Sequence, residues 1–351
     1  MMECKFIAFI IYKKMHFPKL FKFDKNYHEL DIIRGIAVFI MIIAHVIAFT
    51  SDDSSQFLNI IRFIGDAFAF SIFLCVSGAV RYISGSNSEF KFQKRKFFRS
   101  LEVLLLYYVL VFIPYIKDGS AIKNFFQIIF FIKVPNFTEF LIPFILYGMI
   151  FYLFPHWLKA LVRHYSVVIG IVIICLCSSY ILYPIHINNE MLAAWKALFF
   201  GSEGLFRFPI VTYFPLFIAG AYFEKIYQQD KKRLIAEPML AALLIVTIAY
   251  ILLLHNFSRW PPSIGFLSAG IAMFILLFIL SKYIKFGILN TLGRNPLYFL
   301  FIHLFILNIM DIWFYKNYNS TLMVLIIFIS ILLFAIILNQ IINVYRERTK
   351  K

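Results

Sequence analysis

The residues Glu29–His45, ELDIIRGIAVFIMIIAH, decide how this chain can fold. Ten uncharged residues separate Arg34 from His45, and such a run is suited to hydrocarbon rather than to water. The stretch nevertheless begins with a carboxylate and a guanidinium and ends with an imidazole. Because ionisable groups inside a membrane segment are costly, we predict a membrane-spanning helix whose polar residues have a function.

The composition supports the same interpretation for most of the chain. Hydrophobic residues make up 62% of the 351 residues, charged residues 15%, and the mean hydropathy is +0.83, which excludes a soluble globular domain. Apolar runs of about 18 to 22 residues, each long enough to cross a bilayer as a helix, recur throughout. We predict an all-α, polytopic membrane bundle of about ten transmembrane helices. Their approximate spans are 32–50, 60–82, 101–116, 137–155, 165–183, 208–228, 237–255, 263–283, 294–313 and 321–343.

The basic residues are distributed unevenly between the predicted loops. If the N-terminus is cytoplasmic, 26 of the 34 Lys and Arg residues lie on the cytoplasmic side and the other 8 lie opposite. This positive-inside bias explains the formal net charge of +16 without a nucleic-acid partner. We therefore expect both termini in the cytoplasm and a basic surface that contacts anionic lipid headgroups.

The chain divides into three parts by composition. Residues 1–31 form a cytoplasmic or interfacial segment, residues 32–343 the ten-helix domain, and residues 344–351 a basic cytoplasmic tail. The stretch 120–133 has lysines within an aromatic run, which favours an interfacial amphipathic helix. The four cysteines show neither metal-ligand spacing nor a disulfide pattern, so we expect no metal.

The polar residues of the first helix share one face. Arg34 and His45 are eleven residues apart, which on an α-helix returns them to within about 20° of each other. Asp31 lies about 40° to the other side of His45. His45 is about 17 Å beyond Arg34, too deep to reach the interface, whereas Arg34 can snorkel to it. A neutral imidazole at that depth could act as a general base or a nucleophile, or it could hydrogen-bond a neighbouring helix.

A second group of polar residues precedes the third predicted span. The sequence KFQKRKFFRSLEV contains Lys94, Arg95 and Arg99, and Arg81 lies shortly before it. Arg95 and Arg99 are four residues apart, so on a helix their guanidinium groups can hold phosphate oxygens together. The phosphate could belong to a cytosolic metabolite or only to membrane lipid.

These segments resemble a known family. The pattern Leu-Asp-x-x-Arg-Gly-x-Ala, followed about ten residues later by histidine, is similar to the first helix of the acyltransferase-3 and heparan-alpha-glucosaminide N-acetyltransferase superfamily. Arg95 and Arg99 match its Arg-x-x-x-Arg motif. The likeness extends over AFSIFLCVSGAVRYIS (69–84), RFPIVTYFPLFIAGAYFEK (207–225), SRWPPSIGFLSAG (258–270) and LGRNPLYFLFIHL (292–304).

The resemblance implies an enzyme that transfers an acyl group, usually acetyl from cytosolic acetyl-CoA as co-substrate. The acceptor would be a hydroxyl or amine of a glycan, glycolipid or related cell-envelope molecule. His45 would be the catalytic residue, with Asp31 and Arg34 shaping the cytoplasmic mouth of a tunnel. The coenzyme A phosphates would be bound by Arg95 and Arg99, with Lys94 and Arg81 beside them.

Four further residues are candidates for acceptor binding: Arg207, Tyr213, Arg259 and His303. His303 could orient His45, line the acceptor path or hydrogen-bond between helices. Arg259 could meet an anionic acceptor or serve a turn. Arg62 and Asp66, four residues apart, are predicted to pair with each other.

Two other functions fit the membrane helices. In a proton-coupled transporter or flippase, His45, Asp31 and Arg34 would form a translocation pathway without covalent chemistry. In a noncatalytic scaffold, His45 would tolerate apolar substitution. We expect a multi-pass protein of a cytoplasmic membrane of the bacterial type, and the sequence specifies neither the acceptor nor the oligomeric state.

Overall fold

The computed structural model describes residues 28–50, 55–86, 94–134, 137–202, 208–229, 258–313 and 321–348. For residues 86, 94, 95, 311–313 and 343–348 the description covers the backbone alone. Within these ranges the regular structure is helical and contains no named strand. The predicted all-α class is therefore confirmed for the described part of the chain.

Fourteen α-helices and one π-helical turn make up these ranges. They are α1 (His28–Thr50), α2 (Gln56–Ile64), the π-turn (Gly65–Ala69), α3 (Phe70–Ser86), α4 (Lys94–Lys117), α5 (Phe125–Ile129), α6 (Leu141–Leu153), α7 (Pro155–Leu161), α8 (Tyr165–Leu182), α9 (Glu190–Phe200), α10 (Ile210–Gln229), α11 (Ile264–Ser281), α12 (Gly287–Arg294), α13 (Pro296–Trp313) and α14 (Thr321–Arg348).

Six helical segments in the described ranges are long and apolar enough to cross a membrane. Two bent pairs raise this number to as many as eight: α6 with α7, bent by 100°, and α12 with α13, bent by 87°. A proline begins the second helix of each pair, a position where its missing N–H costs no helical hydrogen bond. The predicted span 237–255 lies outside the described residues. The total of about ten spans and the cytoplasmic termini remain predictions.

Helix α1 occupies the centre of the bundle. Its residues Ile32, Ile33, Ile42 and Ile47 are fully buried, and it packs against α12, α2, α3, α11, α13 and α14. The peripheral helices α8 and α14 instead expose apolar side chains, as lipid-facing helices do. The protein is therefore an integral multi-pass membrane protein in which α1 is enclosed by other helices.

Two glycines allow α1 and α12 to approach very closely. A Cβ atom on Gly35 would overlap the carbonyl oxygen of Leu289, and one on Gly293 would overlap the carbonyl oxygen of Asp31. Across this contact Arg34 donates from Nη1 to the carbonyl oxygen of Gly293 at 3.0 Å. The side chain of Arg34 is buried at this contact, and its predicted position near the cytoplasmic interface stays a prediction.

Neighbouring helices alternate in direction, so the start of one helix lies at the same end of the bundle as the end of the next. Arg34 at the start of α1 lies near Arg81 at the end of α3 and Arg99 at the start of α4. At the other end, His45 lies near Asp66 of the π-turn and Phe140, which precedes α6. Each group lines a cavity of its own.

Candidate active site

His45 lines the cavity that we call the histidine cavity. It has a volume of about 310 Å³ and lies among α1, α2, the π-turn and the loops before α6, α10 and α11. Its polar lining comprises His45, Arg62, Asp66, Glu139, Trp260 and Arg259. The His45 ring is half-buried and therefore faces this cavity rather than lipid.

His45 forms a hydrogen bond with His303 of α13. The two atoms, Nδ1 of His45 and Nε2 of His303, are 2.9 Å apart, and Nδ1 of His303 lies 2.8 Å from the carbonyl oxygen of Phe299. Because a carbonyl oxygen can only accept, Nδ1 of His303 carries the proton and donates it. In neutral His303, Nε2 then accepts from Nδ1–H of His45. The remaining nitrogen of neutral His45, Nε2, therefore carries a lone pair.

Aromatic rings hold the other side of His45. The Phe137 ring meets it edge-on with centroids 5.2 Å apart, and the Phe140 ring lies at 6.0 Å. Phe137 has a positive φ of 68°, which is unusual for a bulky residue and frequent near functional sites. The imidazole is thus fixed by one hydrogen bond and two ring contacts.

A charged cluster forms part of the wall of the histidine cavity. Arg259 Nη1 lies 2.9 Å from Asp66 Oδ1, whereas Arg62 Nε is 3.9 Å from Asp66 Oδ2. Arg62 and Asp66 do approach each other as predicted, but the closer partner of Asp66 is Arg259. Arg259 also stacks on Trp260 and Phe208, at 4.5 and 4.7 Å from the ring centroids.

Tyr213 is hydrogen-bonded to the backbone of this cluster. It is fully buried in α10 and donates its hydroxyl hydrogen to the carbonyl oxygen of Arg259 at 2.7 Å. Tyr213 therefore fixes the backbone that carries Arg259, and it is not among the residues that line the histidine cavity.

A second cavity, which we call the basic cavity, lies at the opposite end of α1. Its volume is about 170 Å³, and it is lined by Arg34, Arg81, Arg99 and by apolar residues that include Phe73, Phe144 and Leu300. None of the described residues that line it carries a carboxylate. Its guanidinium groups suit an anionic ligand such as a phosphate group.

Arg81 has the geometry of a ligand-binding residue. Its Nη1 atom is buried without a hydrogen-bond partner among the described residues, and its guanidinium carbon lies 3.4 Å from the centre of the Tyr152 ring. Gly148 leaves room for it, since a Cβ there would lie 2.8 Å from Nη2 of Arg81 and 2.6 Å from the hydroxyl of Ser100. A buried unpaired N–H is costly, and an anion in the cavity would remove that cost.

Asp31 and Arg34 lie together at the end of α1 near the basic cavity, and Asp31 lines neither cavity. Asp31 is buried and accepts from Arg34 at 3.3 Å, and its other carboxylate oxygen is 3.8 Å from Nε of Arg294. Arg34 itself lines the cavity. The polar stripe of α1 thus serves two different sites.

Three predicted site residues cannot be placed by their side chains. Arg207 lies outside the described residues, and Lys94 and Arg95 are described only as the first turn of α4. Arg99, one helical turn after Arg95, lines the basic cavity. Lys96, in the first turn of α4, donates to the hydroxyl of Ser84.

The sequence did not single out several residues of the histidine cavity, notably Glu139, Trp260 and Phe137. Glu139 is buried just before α6, in the otherwise apolar sequence FTEFLIPF, and that isolated carboxylate was the signal that could have identified it. Phe137 and Trp260 offered no such signal, because single aromatic residues do not stand out in a chain that has 44 Phe and 4 Trp residues.

Comparison with known families agrees with this geometry. The family model described as an acyltransferase domain matches residues 27–340 and so includes both cavities. The chain belongs to the acyltransferase-3 family. No curated protein and no solved structure gives a significant match to this acyltransferase. The match identifies a membrane acyltransferase and confirms the resemblance seen in the first helix.

Proposed function

We propose that this acyltransferase transfers an acyl group, acetyl in the first instance, from cytosolic acyl-CoA to a hydroxyl or amine. The acceptor is a glycan, glycolipid or related molecule of the cell envelope. The observation that carries the proposal is the pair of cavities along α1. One presents arginines without a carboxylate, and the other presents a histidine with an available lone pair.

The basic cavity suits the donor in two respects. Its arginines would bind the phosphates of coenzyme A, with the unpartnered Nη1 of Arg81 as one donor. Its apolar residues, Phe73, Phe144 and Leu300, would contact the uncharged pantetheine arm and the acyl group. Arg95 and Lys94, which begin α4, would add positive charge at the mouth.

His45 can support acyl transfer by either of two routes. As a general base, Nε2 takes the proton of the acceptor O–H or N–H while the acceptor atom attacks the thioester carbonyl carbon. The C–S bond breaks, and the proton passes to the leaving thiolate. As a nucleophile, Nε2 itself forms a bond to the acyl carbon as the C–S bond breaks and the thiolate leaves. The acceptor atom then attacks the acyl carbon, the bond to Nε2 breaks, and the acceptor's proton passes to the thiolate.

His303 assists both routes as a positioning residue. Its Nε2 accepts the Nδ1–H of His45, which keeps Nε2 of His45 deprotonated and aimed away from α13. If His45 gains a proton, the His303 lone pair and the Phe299 carbonyl oxygen stabilise the positive charge.

The histidine cavity suits an acceptor that is rich in hydroxyl groups. Asp66 and Glu139 accept hydrogen bonds, Arg62 and Arg259 donate them, and Trp260 offers an aromatic face. The two arginines and two carboxylates balance in charge, so an uncharged polyhydroxyl acceptor would be bound without a compensating ion.

The proposal can be tested with purified protein in lipid vesicles. Labelled acetyl-CoA is supplied with a panel of glycans and glycolipids, and the wild type is compared with His45→Ala. We expect transfer by the wild type and a loss of at least about 100-fold in His45→Ala, the usual contribution of a general base. His156→Ala is the matched control, because His156 is exposed and lines neither cavity.

Two results would contradict the proposal. If the protein binds coenzyme A and His45→Ala transfers acyl groups as well as the wild type does, the proposed role of this residue is excluded. Protein that neither binds coenzyme A nor transfers an acyl group, yet moves protons or a substrate across the vesicle membrane, would favour the transporter.

A further inference from the structure

A layer of phenylalanine rings separates the basic cavity from the histidine cavity. Phe73 and Phe144 line the basic cavity, whereas Phe70 and Phe140 line the histidine cavity. The Phe144 ring packs edge-on against Phe70 at 5.7 Å and against Phe73 at 5.9 Å between centroids. No described residue lines both cavities.

In the proposed function, this layer lies between the cavity of the donor and His45. Phe140 immediately precedes α6, and Phe144 lies within α6, one helical turn after Phe140. Both rings therefore belong to the same face. Phe140 lies 6.0 Å from His45. An acyl group held at the apolar end of the basic cavity therefore has to pass Phe144 to meet the imidazole.

Phe144 differs from the other three rings in its surroundings. Phe70, Phe73 and Phe140 are buried, with relative exposures of 3 to 4%, and Phe70 is further held by Phe208 at 4.0 Å. Phe144 is half-buried, and its accessible surface faces the basic cavity. Of the four rings, Phe144 is the one that is both half-buried and part of the wall of the basic cavity.

We propose that Phe144 sets the size limit of the acyl group that this enzyme transfers. Its ring closes the apolar end of the basic cavity, so a short acyl group fits beside the ring and reaches His45, whereas a longer one is stopped. The inference rests on the proposed function, because it assumes that the thioester enters through the basic cavity. Close packing of protein interiors leaves little room for extra methylene groups.

The test uses a donor series of acetyl-, butyryl-, hexanoyl- and octanoyl-CoA with one acceptor. We expect Phe144→Ala to raise kcat/KM for butyryl-CoA relative to acetyl-CoA by roughly 10-fold or more, since each methylene is worth about that much in a tight pocket. Phe144→Trp should lower transfer even of acetyl while binding of free coenzyme A is unchanged. Phe144→Leu, which disturbs packing least, should fall between the wild type and Phe144→Ala.

Phe151→Ala is the matched control. Phe151 lies on the same helix, is buried, and packs on Phe214 and Phe217, but lines neither cavity. The variant Phe151→Ala also loses a phenyl ring, and it should keep the wild-type preference for acyl-chain length. A shift in Phe151→Ala equal to that in Phe144→Ala would show general loosening and overturn the proposal.

The outcomes distinguish this inference from the proposed function. If the wild type transfers acetyl and the Phe144 variants keep its chain-length profile, the inference is wrong and the proposed function stands. If the wild type transfers no acyl group from any donor, both are wrong. Binding of hexanoyl-CoA gives a readout without catalysis, and it should tighten in Phe144→Ala and not in Phe151→Ala.

Discussion

At the scale of single residues, the proposed chemistry depends on how the ring of His45 is held. A buried imidazole with both nitrogens hydrogen-bonded to protein could neither take a proton nor attack a carbonyl. Here one nitrogen is bound to His303, and His303 is fixed by the carbonyl oxygen of Phe299. The pair resembles an acid–base dyad in which the second histidine takes the orienting place that a carboxylate occupies in serine hydrolases.

Replacement of His303 tests this arrangement. We expect His303→Ala to lower kcat by roughly 10- to 1000-fold, because His45 loses the partner that selects its tautomer, with little change in the KM for acetyl-CoA. His303→Gln should restore part of the rate, since its amide oxygen can accept from Nδ1–H of His45. Steady-state kinetics of the three proteins give the measurement. Equal losses in both variants would point to a packing role instead.

Arg81 allows an equivalent test at the basic cavity. Its buried Nη1 has no hydrogen-bond partner among the described residues, and we expect Arg81→Ala to weaken coenzyme A binding by roughly 10- to 100-fold, as the loss of a hydrogen bond to a charged group does. Arg81→Lys should recover only part of the affinity, because an ammonium cannot both bind a phosphate in a forked geometry and stack on Tyr152.

The control for that experiment is Arg163→Ala. Arg163 is also an arginine, but it is exposed between α7 and α8 and lines neither cavity. Titration calorimetry with coenzyme A should give the wild-type Kd for this variant. A comparable weakening in both variants would mean that general positive charge, rather than the site around Arg81, binds the nucleotide.

At the scale of helices, the sequence predicted the apolar segments well and their breaks poorly. The predicted spans 32–50, 165–183 and 321–343 each fall on a continuous helix. The predicted spans 137–155 and 294–313 contain the continuous helices α6 and α13, but the sequence did not predict the sharp bends at their ends, where α6 turns into α7 at Pro155 and α12 into α13 at Pro296. Hydropathy measures composition along the chain and carries no information on direction, so it cannot reveal a bend.

For the site, as for the helices, the sequence predicted the local pattern but not the arrangement in space. Periodicity placed Asp31, Arg34 and His45 on one face, and the structure keeps all three inside the bundle. It could not show that Arg34 and His45 serve separate cavities, since this depends on which helices surround α1. The approach of Arg259 to Asp66 joins residues that are almost 200 positions apart, a contact that no local pattern encodes.

The contact between α1 and α12 offers a test at this scale. We expect Gly293→Ala to destabilise the protein by about 1 to 3 kcal/mol, the usual cost of overpacking, because the new Cβ would overlap the Asp31 carbonyl oxygen. It should also weaken coenzyme A binding, since the Gly293 carbonyl accepts from Arg34. Thermal unfolding in detergent and calorimetry measure the two effects.

Gly287→Ala provides the matched control on the same helix. A Cβ at Gly287 meets no atom within 4 Å, so the same substitution should leave stability and binding close to wild type. An equal loss of stability in both variants would mean that the approach of α1 to α12 does not depend on the absence of a side chain at Gly293.

At the scale of the whole molecule, the two cavities lie at opposite ends of one central helix. About eleven residues, or about 17 Å of helix, separate Arg34 from His45. In the proposed function, donor and acceptor would therefore approach from opposite sides of the membrane, and the transferred group would pass only the phenylalanine layer. The charge distribution predicts which side is which, because 26 of the 34 Lys and Arg residues fall on one side, the side expected to be cytoplasmic.

This orientation predicts which residues a membrane-impermeant thiol reagent can reach in intact cells. Lys285 is exposed between α11 and α12 at the basic end. His186 is exposed after α8, whose Ser179 hydrogen-bonds Thr212 at the start of α10, close to Phe208 of the histidine cavity. In a variant with the four natural cysteines replaced by alanine, we expect His186→Cys to be labelled in intact cells. Lys285→Cys should be labelled only after the membrane is permeabilised. The opposite pattern would place the basic cavity outside, where cytosolic acyl-CoA could not enter it.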